Sequence, residues 1–138
     1  MERPDSFRRG GQRGRQPRIS VIVCAYNEQD YVAACLRSVL GQSRAPDEVI
    51  LVNNASTDGT RAIAGRIRGV TVVDEWCRGL VHAREAGRGH ATGDLLVYLD
   101  ADSRLPAGWL EHVEAVFDRR PGMVAMSGAF CYYDWHRS

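Results

Sequence analysis

The chain has 138 residues, of which 44% are hydrophobic, 25% charged and 8% aromatic. These are the proportions of an ordinary soluble globular domain, so disorder of the whole chain is excluded. A chain of this length buries about 68% of its unfolded surface, which is enough for a core that needs no disulfide or metal.

The charge is distributed unevenly. Residues 1–18 carry six arginines against two carboxylates, whereas residues 19–138 carry 12 arginines against 15 carboxylates, and the chain has no lysine. The acidic remainder predicts no nucleic-acid partner, because duplex affinity depends on many neutralised phosphates. The absence of lysine excludes Schiff-base and P-loop chemistry.

The first 18 residues differ in composition from the rest. They are rich in arginine, glycine and polar side chains and cannot offset their ordering entropy, which predicts a disordered leader over 1–18. An arm for anionic lipid is the alternative. No apolar run reaches the roughly 18 residues of a membrane span, and no apolar signal core follows Met1. We predict a cytoplasmic protein, with peripheral association at the inner membrane surface as an extension of that prediction.

Apolar, β-branched runs alternate with helical patterns from Ile19 onward. Strands are predicted at 19–25, 48–53, 70–74, 95–99 and 123–127, with 95–99 as the central strand. Helices are predicted from an Asn27 cap to Gly41, at 60–68, at 79–91, and from Pro106 to just before Pro121. This alternation predicts an α/β fold with a doubly wound parallel sheet.

Polar segments follow three of the predicted strands. They are Tyr26 to Glu28 after the first strand, Asn53 and Asn54 at the end of the second, and Asp100 to Asp102 after the fourth. Ligands of such sheets bind at the carboxyl ends of the strands. Aspartates two apart on an extended backbone project to one side, about 7 Å apart. Their hard oxygen ligands favour Mg²⁺ or Mn²⁺, which usually hold a diphosphate as well.

Four ordered motifs together resemble a known family. They are Ile19–Glu28, Val52–Thr60, Ala83–Gly87 with Ala91–Asp94, and Leu99–Asp102. The chain resembles the nucleotide-sugar-binding half of a family 2 glycosyltransferase with the GT-A fold. The resemblance implies a Rossmann-like, mostly parallel sheet truncated after about the fifth strand, and transfer of a sugar from a nucleotide-diphosphate sugar with inversion.

The resemblance also implies roles for individual residues. Ala25, Tyr26, Asn27 and Glu28 would line the nucleoside, Asn53 and Asn54 would face the base, and Arg84 would lie near the base or the diphosphate. Asp100 would contact the ribose and metal-bound water, Asp102 would be the direct ligand of Mn²⁺ or Mg²⁺, and Ala101 belongs to the same donor-binding segment. The cation would neutralise charge on the departing diphosphate.

The donor base is left open by one departure from the family pattern. The family often has an aspartate where this chain has Asn53 or Asn54, and an asparagine both donates and accepts hydrogen bonds. A UDP-sugar is the first expectation by prevalence, and GDP- and dTDP-sugars remain open.

The acceptor half of such an enzyme is missing from these residues. The general base is expected beyond Ser138, so residues 19–138 are interpreted as a partial GT-A domain that binds donor. The alternative is a non-catalytic nucleotide-binding or partner module. A dinucleotide-binding oxidoreductase is disfavoured, because the glycines of Gly87–Gly93 have the wrong spacing and precede a strand.

Overall fold

The computed structural model describes residues 14–128 of the chain. The strands are β1 Ile19–Ala25, β2 Glu48–Asn53, β3 Thr71–Asp74 and β4 Leu95–Asp100. The helices are α1 Val32–Leu40, α2 Thr60–Gly65, α3 Leu80–His90 and α4 Trp109–Arg119. None of these helices is long and apolar enough to cross a membrane.

The strands form one parallel sheet in the order β3-β2-β1-β4. In the sheet register Ala25 lies opposite Asn53, and Cys24 lies opposite Asp100. The carboxyl ends of β1, β2 and β4 therefore meet at one edge. The predicted α/β class with a parallel, doubly wound sheet is confirmed.

Both faces of the sheet are covered. All seven residues of β1 are buried, as a continuous apolar run requires. The odd-numbered residues of β1 pack into a core that includes Leu36 of α1, Ala64 of α2 and Leu110 of α4. Ile22 and Cys24 point the other way, into a smaller cluster with Ala83 of α3. Among the helices of residues 14–128, only α3 packs against the face that carries Cys24.

Two strand predictions are wrong. Residues 123–127 are not a strand: they have no ladder partner among residues 14–128, and Val124 is 95% exposed. An extended segment becomes a strand only when its backbone groups are paired. In the described part of the chain β4 is an edge strand, not the central one, because it pairs only with β1. The interior positions belong to β1 and β2, and β1 is buried along its whole length.

Two predicted boundaries also move. Helix α4 starts at Trp109 and not at Pro106, because Gly108 takes a left-handed φ of 74° that a helix cannot include. The last residues of the predicted leader are bound to the domain: Arg44 Nη2 donates to the Pro17 carbonyl at 2.7 Å, and the Arg18 N–H donates to Asp94 Oδ2 at 2.8 Å. Residues 1–13 and 129–138 lie outside the described residues.

Helix α3 approaches the sheet closely at one glycine. A Cβ added at Gly87 would overlap Ile22 Cγ2 and lie 3.2 Å from Val52 Cγ2. We expect Gly87→Ala to lower the free energy of unfolding by about 1–3 kcal/mol, the usual cost of overpacking. Urea denaturation measures this. Gly89→Ala is the matched control, since nothing lies within 4 Å of its added Cβ; it should stabilise the helix by up to about 1 kcal/mol. Equal effects of the two variants would contradict this packing.

The start of β1 is held by a carboxylate. The Ile19 N–H donates to Asp47 Oδ2 at 2.8 Å, and this hydrogen bond together with Arg44 holds the pKa of Asp47 below its ordinary value of 3.8. Its contribution to stability is therefore complete above about pH 3.8 and is lost as the pH falls through the folded-state pKa. We expect stability to fall less steeply with acid in Asp47→Asn than in the wild type, measured by urea denaturation at several pH values. Asp118→Asn, at an exposed position of α4, should follow the wild-type curve; a parallel curve for Asp47→Asn would contradict the assignment.

Candidate donor-binding site

The loops after β1 and β2 are joined through Asn27. The Asn27 N–H donates to Ser56 Oγ at 3.0 Å, and the Thr57 N–H donates to Asn27 Oδ1 at 2.8 Å. The prediction that Asn27 caps the following helix is wrong, because α1 begins only at Val32, preceded by Tyr31. Asn27 has a positive φ of 51°, which asparagine tolerates better than most residues. It holds two loops of the site together.

The carboxylates predicted to hold the cation lie at the same edge. Asp100 and Asp102 are exposed, and the Ala101 N–H between them donates to the Cys24 carbonyl at 3.1 Å. Burial, followed by the charges of Asp102, Asp58 and Asp100, raises the pKa of Glu28. Negative charge is thus concentrated here, which a cation would relieve.

The donor set fits a hard cation only in part. Carboxylate oxygens are the ligands that Mg²⁺ and Mn²⁺ prefer. Within residues 14–128, however, no three His, Cys, Asp or Glu side chains are placed to hold one ion together. Asp100 and Asp102 could supply protein ligands, and a diphosphate and water would have to complete the coordination. The methyl side chain of Ala101 has no ligand atom, and it is buried in the core.

A cleft of about 210 Å³ opens beside these loops, on the α3 face of the sheet. It is lined by the end of β1 and the loop after it, by the first residue after β2, and by the start of α3 with the two residues before it: Cys24, Ala25, Tyr26, Asn54, Arg78, Gly79, Leu80 and Ala83. The carboxylates Asp100 and Asp102 are not among the lining residues. Of the predicted donor-binding residues, Ala25, Tyr26 and Asn54 are therefore brought together. Arg84 follows Ala83 on α3 and lies at the side, with its Cζ 5.9 Å from the Tyr98 ring centroid.

Asn53 and Asn54 lie where predicted, but their amides are engaged with the protein. Asn53 Nδ2 donates to Asp74 Oδ1 at 2.9 Å, and Asn53 Oδ1 accepts from the Ser56 N–H at 3.3 Å. Asn54 Nδ2 donates to the carbonyls of Glu75 and Cys77, and Asn54 Oδ1 accepts from the Gly79 N–H. Both residues are nearly fully buried. They position the loops around the cleft, and direct contact with a base stays a prediction.

Five residues of the cleft are absent from the sequence-based site, and two of them, Arg78 and Cys24, carry a charge or a thiol. Arg78 lies in the loop between β3 and α3, and Cys24 is the last inward-facing residue of β1 on the α3 face. Arg78 could have been found by applying the strand-end rule to the third strand as well as to the first, second and fourth. Burial raises the pKa of Cys24 to about 11, so its thiol is neutral near pH 7 and forms a weakly polar floor.

The sheet and the cleft at its carboxyl edge define a ligand-binding α/β domain. The chain belongs to glycosyl transferase family 2, whose family model matches residues 20–138. An uncharacterized glycosyltransferase of Haemophilus influenzae is 28% identical over 115 residues, covering 80% of this chain and 36% of that protein. The glycosyltransferase AglE of Haloferax volcanii is 32% identical over 102 residues, covering 69% of this chain and 34% of AglE.

Solved structures agree with this membership. The crystal structure of S. aureus TarS 1-349 superposes with a TM-score of 0.69 at 27% identity, covering 75% of this chain and 33% of that one. The mannosyltransferase PcManGT from Pyrobaculum calidifontis, in complex with GDP-Man and Mn²⁺, gives a TM-score of 0.63 at 37% identity, covering 68% and 30%. The chain spans about a third of the length of these relatives. It has the GT-A fold of its structural neighbours.

Proposed function

We propose that this chain is the donor-binding part of an inverting glycosyltransferase that uses a nucleotide-diphosphate sugar. The observation that carries the proposal is that the carboxyl ends of β1, β2 and β4 meet at one sheet edge, where a cleft opens between the loop after β1, Asn54 and the start of α3, in a chain of glycosyl transferase family 2. Membership of the family supports sugar transfer as the reaction class.

Different residues of this chain would bind different parts of the donor. Tyr26, on the cleft wall, would contact the nucleoside, with Ala25, Asn27 and Glu28 in the same loop. Asn53 and Asn54 would hold the loops that face the base. Arg84 would lie near the diphosphate. Burial raises the pKa of the Cys24 thiol at the end of β1, and the positive charge of Arg84 opposes that rise.

Asp102 and Asp100 would hold a divalent cation, with Asp102 as the direct ligand. When bound, Mn²⁺ or Mg²⁺ supplies positive charge that offsets the charge of a diphosphate leaving group. Two features support the assignment. The first is the group of carboxylates around Glu28, whose pKa is raised by burial and then by the charges of Asp102, Asp58 and Asp100. The second is the Mn²⁺ in the PcManGT complex.

The donor base is proposed from related complexes. TarS has been solved with UDP and with UDP-GlcNAc, and PcManGT with GDP-Man. A UDP-sugar is our first choice, with GDP- and dTDP-sugars next. The general base is proposed to lie outside these 138 residues, because the relatives are about three times as long. Cytoplasmic location and peripheral membrane association stay predictions.

A donor panel tests the proposal. Isothermal titration of the 138-residue chain with UDP, GDP and dTDP, each with and without MnCl₂, should show binding of at least one nucleotide that strengthens with Mn²⁺. Failure of all three to bind would overturn the proposal. Binding without sugar transfer, even when the remaining part of a longer gene product is present, would favour the non-catalytic module.

A further inference from the structure

Arg78 covers an aromatic ring inside the cleft. Its guanidinium Cζ lies 3.9 Å from the centroid of the Tyr26 ring, which is the geometry of a cation–π contact. Both residues line the cleft, so this contact is part of its wall. Tyr26 is 39% exposed despite this contact.

The position of Arg78 is set by its backbone and does not depend on this contact alone. Asn54 Nδ2 donates to the carbonyls of Glu75 and Cys77 at 3.0 and 2.8 Å, and its Oδ1 accepts from the Gly79 N–H at 2.8 Å. Glu75 Oε1 also accepts from the Cys77 N–H at 2.7 Å. Hydrogen bonds on both sides of Arg78 therefore hold its Cα at the edge of the cleft.

We propose that Arg78 is a specificity-determining residue that makes the cleft prefer nucleoside diphosphates to nucleosides. The inference rests on the proposed function, because it requires a nucleoside to enter beside Tyr26.

The physical basis is a competition for one face of a ring. Bases bind proteins by stacking on aromatic side chains. A base that stacks on the covered face of Tyr26 must displace the guanidinium and forfeit its cation–π contact. A nucleoside offers the displaced cation no new partner. A diphosphate does, because a guanidinium forms strong, charge-assisted hydrogen bonds with phosphate oxygens. The contact between Arg78 and Tyr26 therefore lowers the affinity for a nucleoside, whereas a nucleoside diphosphate regains the lost interaction through its phosphates.

Titrations of matched ligand pairs test this. Dissociation constants of UDP and uridine, GDP and guanosine, and dTDP and thymidine are measured with MnCl₂ for the wild type, Arg78→Ala and Arg78→Gln. Arg66→Ala is the control: it removes the same charge from the end of α2, which packs on the opposite face of the sheet. Thermal unfolding checks that each variant folds. If Arg78→Ala does not fold, the comparison uses Arg78→Gln, which removes the charge but keeps an aliphatic stem with a polar end.

The expected result is a pair of opposite changes. Arg78→Ala should weaken binding of the preferred diphosphate about 10-fold or more, the scale of a lost charge-assisted hydrogen bond. It should tighten binding of the corresponding nucleoside about two- to fivefold, the scale of an exposed cation–π contact. Arg66→Ala should change neither.

Three results would overturn the inference. If Arg78→Ala weakens binding of the nucleoside and of the diphosphate equally, Arg78 lines the cleft without discriminating between them. If both affinities are unchanged, Arg78 has no part in binding. In both cases the wild type still binds nucleotide, so the proposed function stands. If the wild type binds none of the three diphosphates, the inference and the proposed function fail together.

Discussion

Asp102→Asn is expected to remove the Mn²⁺ dependence of nucleotide binding. The substitution replaces a charged oxygen ligand by a neutral amide of the same shape near the start of the loop that follows β4. Loss of an outer partner of a metal ligand typically costs 10–100-fold in affinity. We therefore expect loss of the proposed direct ligand to weaken UDP binding in MnCl₂ by about 100-fold or more. Isothermal titration of UDP with and without MnCl₂ measures the effect.

A carboxylate at the far side of the fold provides the control. Asp118→Asn removes the same charge from the exposed end of α4 and should leave both titrations unchanged. The assignment of Asp102 as a metal ligand would be wrong if the Asp102→Asn variant keeps the wild-type melting temperature and still binds UDP more tightly with Mn²⁺ than without it.

Asn54→Asp is expected to cause the largest loss of stability of any single substitution considered for this chain. The side chain is 5% exposed, and its amide nitrogen donates to two carbonyls. An ionised carboxylate at this position would face both carbonyl oxygens and could not donate a hydrogen bond to either of them. Leaving a buried charge uncompensated costs about 3–5 kcal/mol, and we expect a loss of that size in the free energy of unfolding near pH 7.

The pH dependence and a matched control make this prediction specific. Burial among carbonyls would raise the folded-state pKa of the introduced carboxyl, so the loss should shrink as the pH falls through that pKa and the neutral group can donate one hydrogen bond. Asn27→Asp is the control: Asn27 is exposed and its Oδ1 is already an acceptor, from the Thr57 N–H. It should change stability by well under about 1 kcal/mol, as surface substitutions usually do. Similar losses for the two variants, measured by urea denaturation, would contradict the role given to Asn54.

Much of the site could be predicted because the sequence indicates where each strand ends. The apolar run of β1 ends at Ala25, and the run of β4 ends at Asp100. Parallel strands carry their carboxyl ends to one edge, so the segments that follow them had to be neighbours. The cleft between Tyr26, Asn54 and α3 lies at that edge.

Two of the failed predictions, the Asn27 cap and the strand at 123–127, share a cause. Asn27 has the residue type of a helix cap, yet it hydrogen-bonds Ser56 and Thr57, which lie 29 and 30 positions later in the loop after β2. Residues 123–127 have the composition of a strand, yet within residues 14–128 nothing pairs with them. In each case the local pattern was compatible with the prediction, and a partner distant in sequence decided the outcome.

Local chemistry was thus enough to establish the alternation of strands and helices, the polar strand ends and the family, since periodicity and short motifs depend on near neighbours. The burial of the Asn54 amide among loop carbonyls, the contact of Arg78 with Tyr26 and the edge position of β4 depend on groups tens of residues apart. Hydrogen-bonding capacity can be read from a residue's type, whereas the partner that uses it is set by how the chain packs.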